Sequence, residues 1–303
     1  MGRHLWCAIF SLPATIALRY IALAIPYAKT GFFCNDNEIR YPFRWDTVPS
    51  NLMNTLYGIM AFLLIIVSEY SLVKHVTRRN GARLIRETML HPCVVNCIYF
   101  LVIMCTGDLA ASAVANLGKR TMSRLRPNFL AVCQPNLTAL CPPDSMNFIE
   151  DYECLGMFKE DEYFSFPSGH ATHSVFFGIF IIVYLQKRCK ITEPIKSLIQ
   201  LVVSMIVFFI CMSRVRDYKH RLADVCGGAV IGGVFGIVFV NFVLHTFKPN
   251  RYKVEVDEFP EIVDPASKAN LLTPTAVLVK PTKIPSDYGS LDESERSSSI
   301  VSF

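Results

Sequence analysis

The residues that could do chemistry gather in three short stretches. The first is Lys119-Arg120-Thr121-Met122-Ser123-Arg124-Leu125-Arg126-Pro127, and the second is Phe166-Pro167-Ser168-Gly169-His170. The third runs from Ser213 and Arg214 through Arg216, His220 and Arg221 to Asp224. Lys119, Arg126 and Arg214 supply fixed positive charge: a guanidinium grips phosphate oxygens in a planar, two-pronged way, and an ammonium adds a point charge. Ser168 and Gly169 stand where a helix would open. Free backbone N–H groups and the helix dipole favour an anion there, and a glycine lets it approach closely. His220 and Asp224 are four residues apart and would share a face if the chain is helical there. Asp224 would then accept from one imidazole nitrogen and leave the other free to attack phosphorus. His170, from a different stretch, would protonate the leaving oxygen and then activate water. Each stretch alone has a plainer explanation, as interfacial anchors, a helix cap or a loop histidine. All three together point to phosphoryl transfer.

Such a site needs elements to position it, and the composition says what kind. The chain has 303 residues, 52% of them hydrophobic and only 18% charged, where an average soluble domain carries roughly 25% charged residues. The apolar residues form six blocks: about 5–27, 52–73, 92–117, 169–186, 195–212 and 225–247. Each is long enough to cross a bilayer as a helix, the form that satisfies its own backbone in lipid. The expected fold is therefore all-α: a polytopic membrane protein with six transmembrane helices over residues 1–250. This excludes an ordinary soluble two-domain enzyme, a disordered regulator and a small disulfide scaffold. The first block reads as an uncleaved anchor, given its length, its Arg19 and the lack of a small-residue cleavage site. The net charge of +5 sits in clusters beside apolar blocks, not in a basic stripe, so nucleic acid is not an expected partner.

Orientation follows from Lys and Arg in short loops. Lys74, Arg78, Arg79, Arg83 and Arg86 lie between blocks two and three, and Lys187, Arg188, Lys190 and Lys196 between four and five. Both links are expected in the cytoplasm, with both termini. The loops 28–51, 118–168 and 213–224 then face the lumen or the outside, and so does the active site between loops 3–4 and 5–6. Asn136-Leu137-Thr138 is a glycosylation sequon in the long outer loop. Cys34, Cys133, Cys141 and Cys154 lie in the same outer loops; they allow three pairings, and the sequence does not choose. The remaining seven cysteines read as small buried hydrophobes.

Within the spans, Arg19 and Asp108 are expected to form a structural ion pair, since unpaired charge in hydrocarbon is costly. Gly228, Gly232 and Gly236 form a smooth stripe for close helix packing. Packing within one bundle is favoured; a homo-oligomer is the other arrangement the stripe would serve. From about residue 251 the chain is rich in Pro, Ser and charge and reads as a disordered cytoplasmic tail, 251–303. Within it Tyr288-Gly289-Ser290-Leu291 resembles a sorting signal read by an adaptor. The final Val301-Ser302-Phe303 resembles a ligand for a carboxylate-binding peptide domain.

The pattern K-x6-RP, PSGH and SR-x5-H-x3-D resembles that of the type 2 phosphatidic acid phosphatase superfamily. It is met by Lys119, Arg126 and Pro127, by Pro167 to His170, and by Ser213, Arg214, His220 and Asp224. Within it, Gly31 to Asp36 and Ile39 to Phe43 are similar to the first outer loop of the lipid phosphate phosphatases (phospholipid phosphatases). The resemblance covers about residues 1–250. It implies hydrolysis of lipid phosphate monoesters, namely phosphatidate, lysophosphatidate, sphingosine 1-phosphate and ceramide 1-phosphate, through a phosphohistidine. No cofactor and no metal are implied. By position, His220 would be the nucleophile, Asp224 its partner and His170 the general acid; Lys119, Arg126, Ser168, Gly169 and Arg214 would bind phosphate. Relatives acting on isoprenoid diphosphates or sugar phosphates are the alternative, and a silent membrane adaptor working through its tail is the non-enzymatic one. Arg216, Arg221 and His173 stand out as additions, to the surface potential, headgroup preference or packing. The plasma membrane is the expected location, with the Golgi and endoplasmic reticulum as alternatives.

Overall fold

The apolar blocks fold into long helices in a computed structural model that describes residues 2–80, 83–84, 92–143, 145–157, 160–246 and 254–255. Helix α1 spans Gly2–Ala24, α2 Ser50–Asn80 and α3 Pro92–Met122. Two short helices, α4 (Phe129–Cys133) and α5 (Leu137–Leu140), sit in the long loop. Then come α6 (Gly169–Arg188), α7 (Glu193–Arg216) and α8 (Leu222–Thr246). By length and composition, five stretches can cross a membrane: Ser50–Leu72, Cys97–Met122, Gly169–Arg188, Glu193–Arg216 and Leu222–Phe242. In α1 the described apolar stretch, Phe10–Ala24, is shorter. The chain is thus a mostly helical, multi-pass membrane protein. The tail with its two peptide motifs lies outside the described residues, apart from Val254–Glu255, which pairs antiparallel with Arg83–Leu84.

Helix α6 is the hub: it packs most closely on α8 and also touches α2, α3 and α7. The glycine stripe explains the α6–α8 fit. A Cβ on Gly228 would be driven into the carbonyl oxygen of Ser168, and one on Gly232 into that of Thr172, while at Gly236 it would meet the Phe176 carbonyl at 3.1 Å. Glycines spaced by four on one helix face carbonyls spaced by four on the other, so the stripe works inside one bundle. An apolar cluster around Phe100, Phe176, Phe180 and Tyr184 fills the centre.

At one end the loops make a cap of their own. Phe32–Phe33 pairs with Phe148–Ile149, over a second cluster built on Phe129, Tyr152, Tyr163 and Phe164. Cys34 is bonded to Cys141 and Cys133 to Cys154, which decides among the three pairings. Asn136 is exposed and caps α5, its Oδ1 accepting from the Ala139 N–H at 3.3 Å.

The expected Arg19–Asp108 ion pair is not formed. Asp108 instead meets His173 Nδ1 at 2.6 Å. Arg19 makes no ion pair among the described residues, and its Nε is buried without a partner. Depth is the reason. The chain leaving α1 hydrogen-bonds the end of α3 (Ala28 N–H to Ser123 Oγ, 3.3 Å), so the two helices end together. Arg19 lies one to two turns from that end, whereas Asp108 lies about 20 Å from it at about 1.5 Å per residue. His173 of α6 is the group within reach of Asp108.

Candidate active site

Two chain reversals at the disulfide-bearing end bring the three sequence stretches together. Helix α3 stops at Ser123, whose φ of 41° turns the backbone out of the helix. The turned residue is held by the bond from Ala28 and by three more: its N–H donates to Lys119 O (3.1 Å), its Oγ to Arg120 O (3.1 Å), and its carbonyl accepts from Thr30 Oγ1 (2.6 Å). Helix α7 ends in a tighter reversal, where Tyr218 takes φ 55°. Such left-handed backbone costs a non-glycine residue roughly 1 kcal/mol. Tyr218 is held there by stacking on Tyr41 at 4.6 Å and by the Arg44 guanidinium, 4.5 Å from its ring centroid. The reversal lets Arg214 O accept from the N–H groups of Lys219 (3.1 Å) and His220 (3.3 Å), aiming His220 inward.

Both histidines lie where the spacing led us to look, but the partner of His220 differs. The expected His220–Asp224 hydrogen bond is absent: α8 begins at Leu222, so His220 is outside the helix and shares no face with Asp224. His220 Nδ1 instead donates to the Ser165 carbonyl at 2.6 Å. A carbonyl only accepts, so the proton is on Nδ1 and Nε2 carries the lone pair. Asp224, fully buried, accepts from Ser165 Oγ (2.6 Å), Arg124 Nη1 (2.9 Å) and the Arg221 N–H (2.9 Å). Its influence on His220 therefore runs through Ser165. Burial, and then the positive charges of Arg126 and Lys119, push the His220 imidazole well below the usual histidine range, against the opposing pull of its bond to Ser165.

The residues expected to bind phosphate have the following surroundings. Lys119 Nζ lies over Gly169, 3.4 Å from where a Cβ would stand, so a side chain there would crowd the amine. Ser168 anchors its N–H on Asp224 O (2.9 Å), but its Oγ is buried and unpartnered. Arg126 Nε is buried and unpartnered too. Two donors left unsatisfied in one place are costly unless an anion comes to take them. Arg214, 1% exposed, is already held by carboxylates. Nη2 meets Asp217 Oδ2 at 2.9 Å and Nη1 meets Asp46 Oδ1 at 3.1 Å. His170 Nε2 is 3.1 Å from the Val48 carbonyl and 3.4 Å from Arg214 Nη1. One nitrogen cannot donate to the first and accept from the second, so its proton serves Val48.

Several participants escaped the sequence reading. Ser165 belongs to none of the three stretches singled out in the sequence. Glu162 is a buried carboxyl pushed up by burial, though Arg126 and Lys219 pull it down. With the amide nitrogen of Asn128 turned toward its acceptors, it donates to Glu162 Oε2 at 3.2 Å. The only outward signal was the acidic run 160–162. Asp46 and Asp217 are seen only once the first loop lies against α7. Of the added basic residues, Arg221 is a strap: Nε meets Glu38 Oε2 at 2.7 Å and Nη1 donates to Leu125 O at 2.9 Å. Arg216 offers its carbonyl to Arg44 Nη1 at 3.1 Å.

Comparison with known proteins gives the same family. The model for the PAP2 superfamily matches residues 97–248. Rat phospholipid phosphatase 1 is 30% identical over 76% of this chain and 80% of its own length. Mouse phospholipid phosphatase 1 is 29% identical over 81% and 87%, and mouse phospholipid phosphatase 2 is 28% identical over 81% and 88%. No solved structure matches at the same stringency. The chain belongs to the PAP2 superfamily, a family of phosphatases.

Proposed function

We propose that this protein removes phosphate from lipid phosphate monoesters through a phosphohistidine on His220. The observation that carries the reading is the state of His220: Nδ1 spent on a carbonyl, Nε2 free, and a cationic cradle beside it with two unsatisfied donors. Lys119, Arg126, Arg214, Ser168 Oγ and the opening N–H groups of α6 hold the phosphoryl oxygens, which neutralises charge as it builds. Nε2 attacks phosphorus; the phosphorus–oxygen bond to the lipid breaks, and His170, as the imidazolium, gives a proton to the departing alcohol oxygen. His170 then takes a proton from water, which attacks the phosphohistidine and frees phosphate and His220. Asp224 keeps Ser165 in place, and so keeps the tautomer of His220.

A lipid substrate suits a cradle at the ends of membrane-crossing helices, since the tails can stay in the bilayer. The names of the relatives support this over isoprenoid diphosphates or sugar phosphates. Phosphatidate, lysophosphatidate, sphingosine 1-phosphate and ceramide 1-phosphate are the substrates we propose. We place the site on the lumenal or extracellular side, with α1 as a sixth span and both termini in the cytoplasm, most simply at the plasma membrane. Two disulfides and an exposed Asn136 sequon at the same end support that side.

The test is release of phosphate from phosphatidate by the purified protein in detergent micelles containing EDTA. His220→Ala should abolish release while the protein still folds. His170→Ala should accumulate a phosphorylated histidine. Release that survives His220→Ala would refute the assignment.

A further inference from the structure

Arg214 is the proposed phosphate ligand that carboxylates already hold. Its two carboxylate partners are unlike. Asp217 is 3% exposed and fixed: the first loop clamps it, with the Thr47 N–H and Oγ1 both donating to it at 2.7 Å. Asp46 is the opposite case. Its side chain is 38% exposed and makes a single 3.1 Å contact to Nη1. That nitrogen is also the one nearest His170 Nε2, so it points into the reaction space. Asp46 is close enough to Lys219 and Glu162 to act on both electrostatically.

The backbone around Asp46 is arranged for the side chain alone to move. Tyr41 and Arg44 are fastened to Tyr218 and the Arg216 carbonyl, and Thr47 to Asp217. Between these ties stand only Trp45, 82% exposed, and Asp46. A rotation of Asp46 would free Nη1 without opening the loop.

We propose that Asp46 is a resident anion: it occupies the phosphate position on Arg214 before substrate binds and is displaced when a phosphate group enters. The inference rests on the phosphatase reading above and adds to it a residue that sets affinity and not chemistry. A carboxylate on Nη1 keeps that nitrogen paired and correctly aimed before substrate binds, since a buried donor left without an acceptor is costly even with Asp217 on Nη2. It also makes every phosphate group compete for its place, so product leaves more readily. Asp46 is therefore a positioning residue that never touches the reacting atoms.

The experiment uses inorganic phosphate as the probe, as a competitive inhibitor of phosphatidate hydrolysis by the full chain in micelles. Asp46→Asn removes the charge and keeps the shape. It should bind inorganic phosphate about three- to tenfold more tightly and lower KM. Asp46→Ser is the second variant and should act in the same direction. Asp46→Glu, which restores the charge, should return the inhibition constant toward that of the parent. If Asp46 merely braces the loop, both variants would raise KM or lower thermal stability with no gain in phosphate affinity, and the proposal fails. An unchanged inhibition constant would also overturn it. Absence of any phosphate release by the parent protein would instead sink the phosphatase reading itself.

Discussion

The molecule buries arginine at both ends, and the two cases are opposites. At the end of α6 far from the disulfides, Arg188 grips Glu69 with Nη2 at 2.8 and 2.9 Å and Nε at 3.1 Å, and Tyr184 donates to the same carboxylate at 2.8 Å. Charge there is cancelled and the donors facing Glu69 are used. At the other end Arg126 has a buried Nε with no partner, and Lys119, Arg126 and Arg214 crowd together around two histidines. The first cluster is closed and joins α2 to α6. The second leaves Arg126 Nε without a partner among the described residues, a place the proposed phosphate would fill. A buried ionic group that is fully paired speaks of structure; one left unpaired beside two histidines fits a ligand.

The largest effects should come from exchanging the two fates. Arg126→Ala should lower phosphate release by a factor on the order of 100 to 1000, as loss of an oxyanion donor does, with little loss of thermal stability. Arg188→Ala strands a buried Glu69 and should destabilise the fold by about 3–5 kcal/mol. Thermal unfolding in micelles beside the activity assay would decide. Equal destabilisation by the two substitutions would break the contrast.

A finer test asks how Asp224 reaches His220. Ser165→Ala keeps the carbonyl that fixes the tautomer but removes the hydroxyl bound to Asp224. We expect kcat to fall about tenfold, the scale of a lost hydrogen bond to a charged group, with KM nearly constant. Full kcat would show that Asp224 acts by another route, through Arg124 or the helix start. The smallest effect should be at the surface of the same cluster. Arg221→Gln breaks an ion pair with Glu38, whose side chain is 69% exposed, and should change kcat/KM by no more than about twofold.

What could be read along the chain was whatever depends on residue type and local spacing. Long apolar runs had to become helices, because in lipid no other isolated form satisfies the backbone. The four-residue glycine spacing implied a close helix contact, and α8 makes it with α6. The gathering of histidines and cations at loop ends was visible too. Contacts between segments far apart in the chain were not. The acceptor of His220 is a main-chain oxygen 55 residues away, and every residue type offers that oxygen, so no side-chain pattern could reveal it. Asp46 meets Arg214 across 168 positions, with nothing in its own neighbourhood to mark it. Arg19 and Asp108 looked like partners because opposite charges in adjacent spans should pair, and it was their depth along packed helices that separated them.

The sequence by itself therefore determined the helical, membrane-crossing architecture and the inventory of groups able to transfer a phosphoryl unit. Periodicity and charge act over a few residues and need no knowledge of the rest. Tertiary structure alone decided the cysteine pairing, the tautomer of His220, the carboxylates that hold Arg214 and the partner of Asp108. Each of these is set by distance in space, which packing of the helices and the two chain reversals fix and which spacing along the chain does not encode.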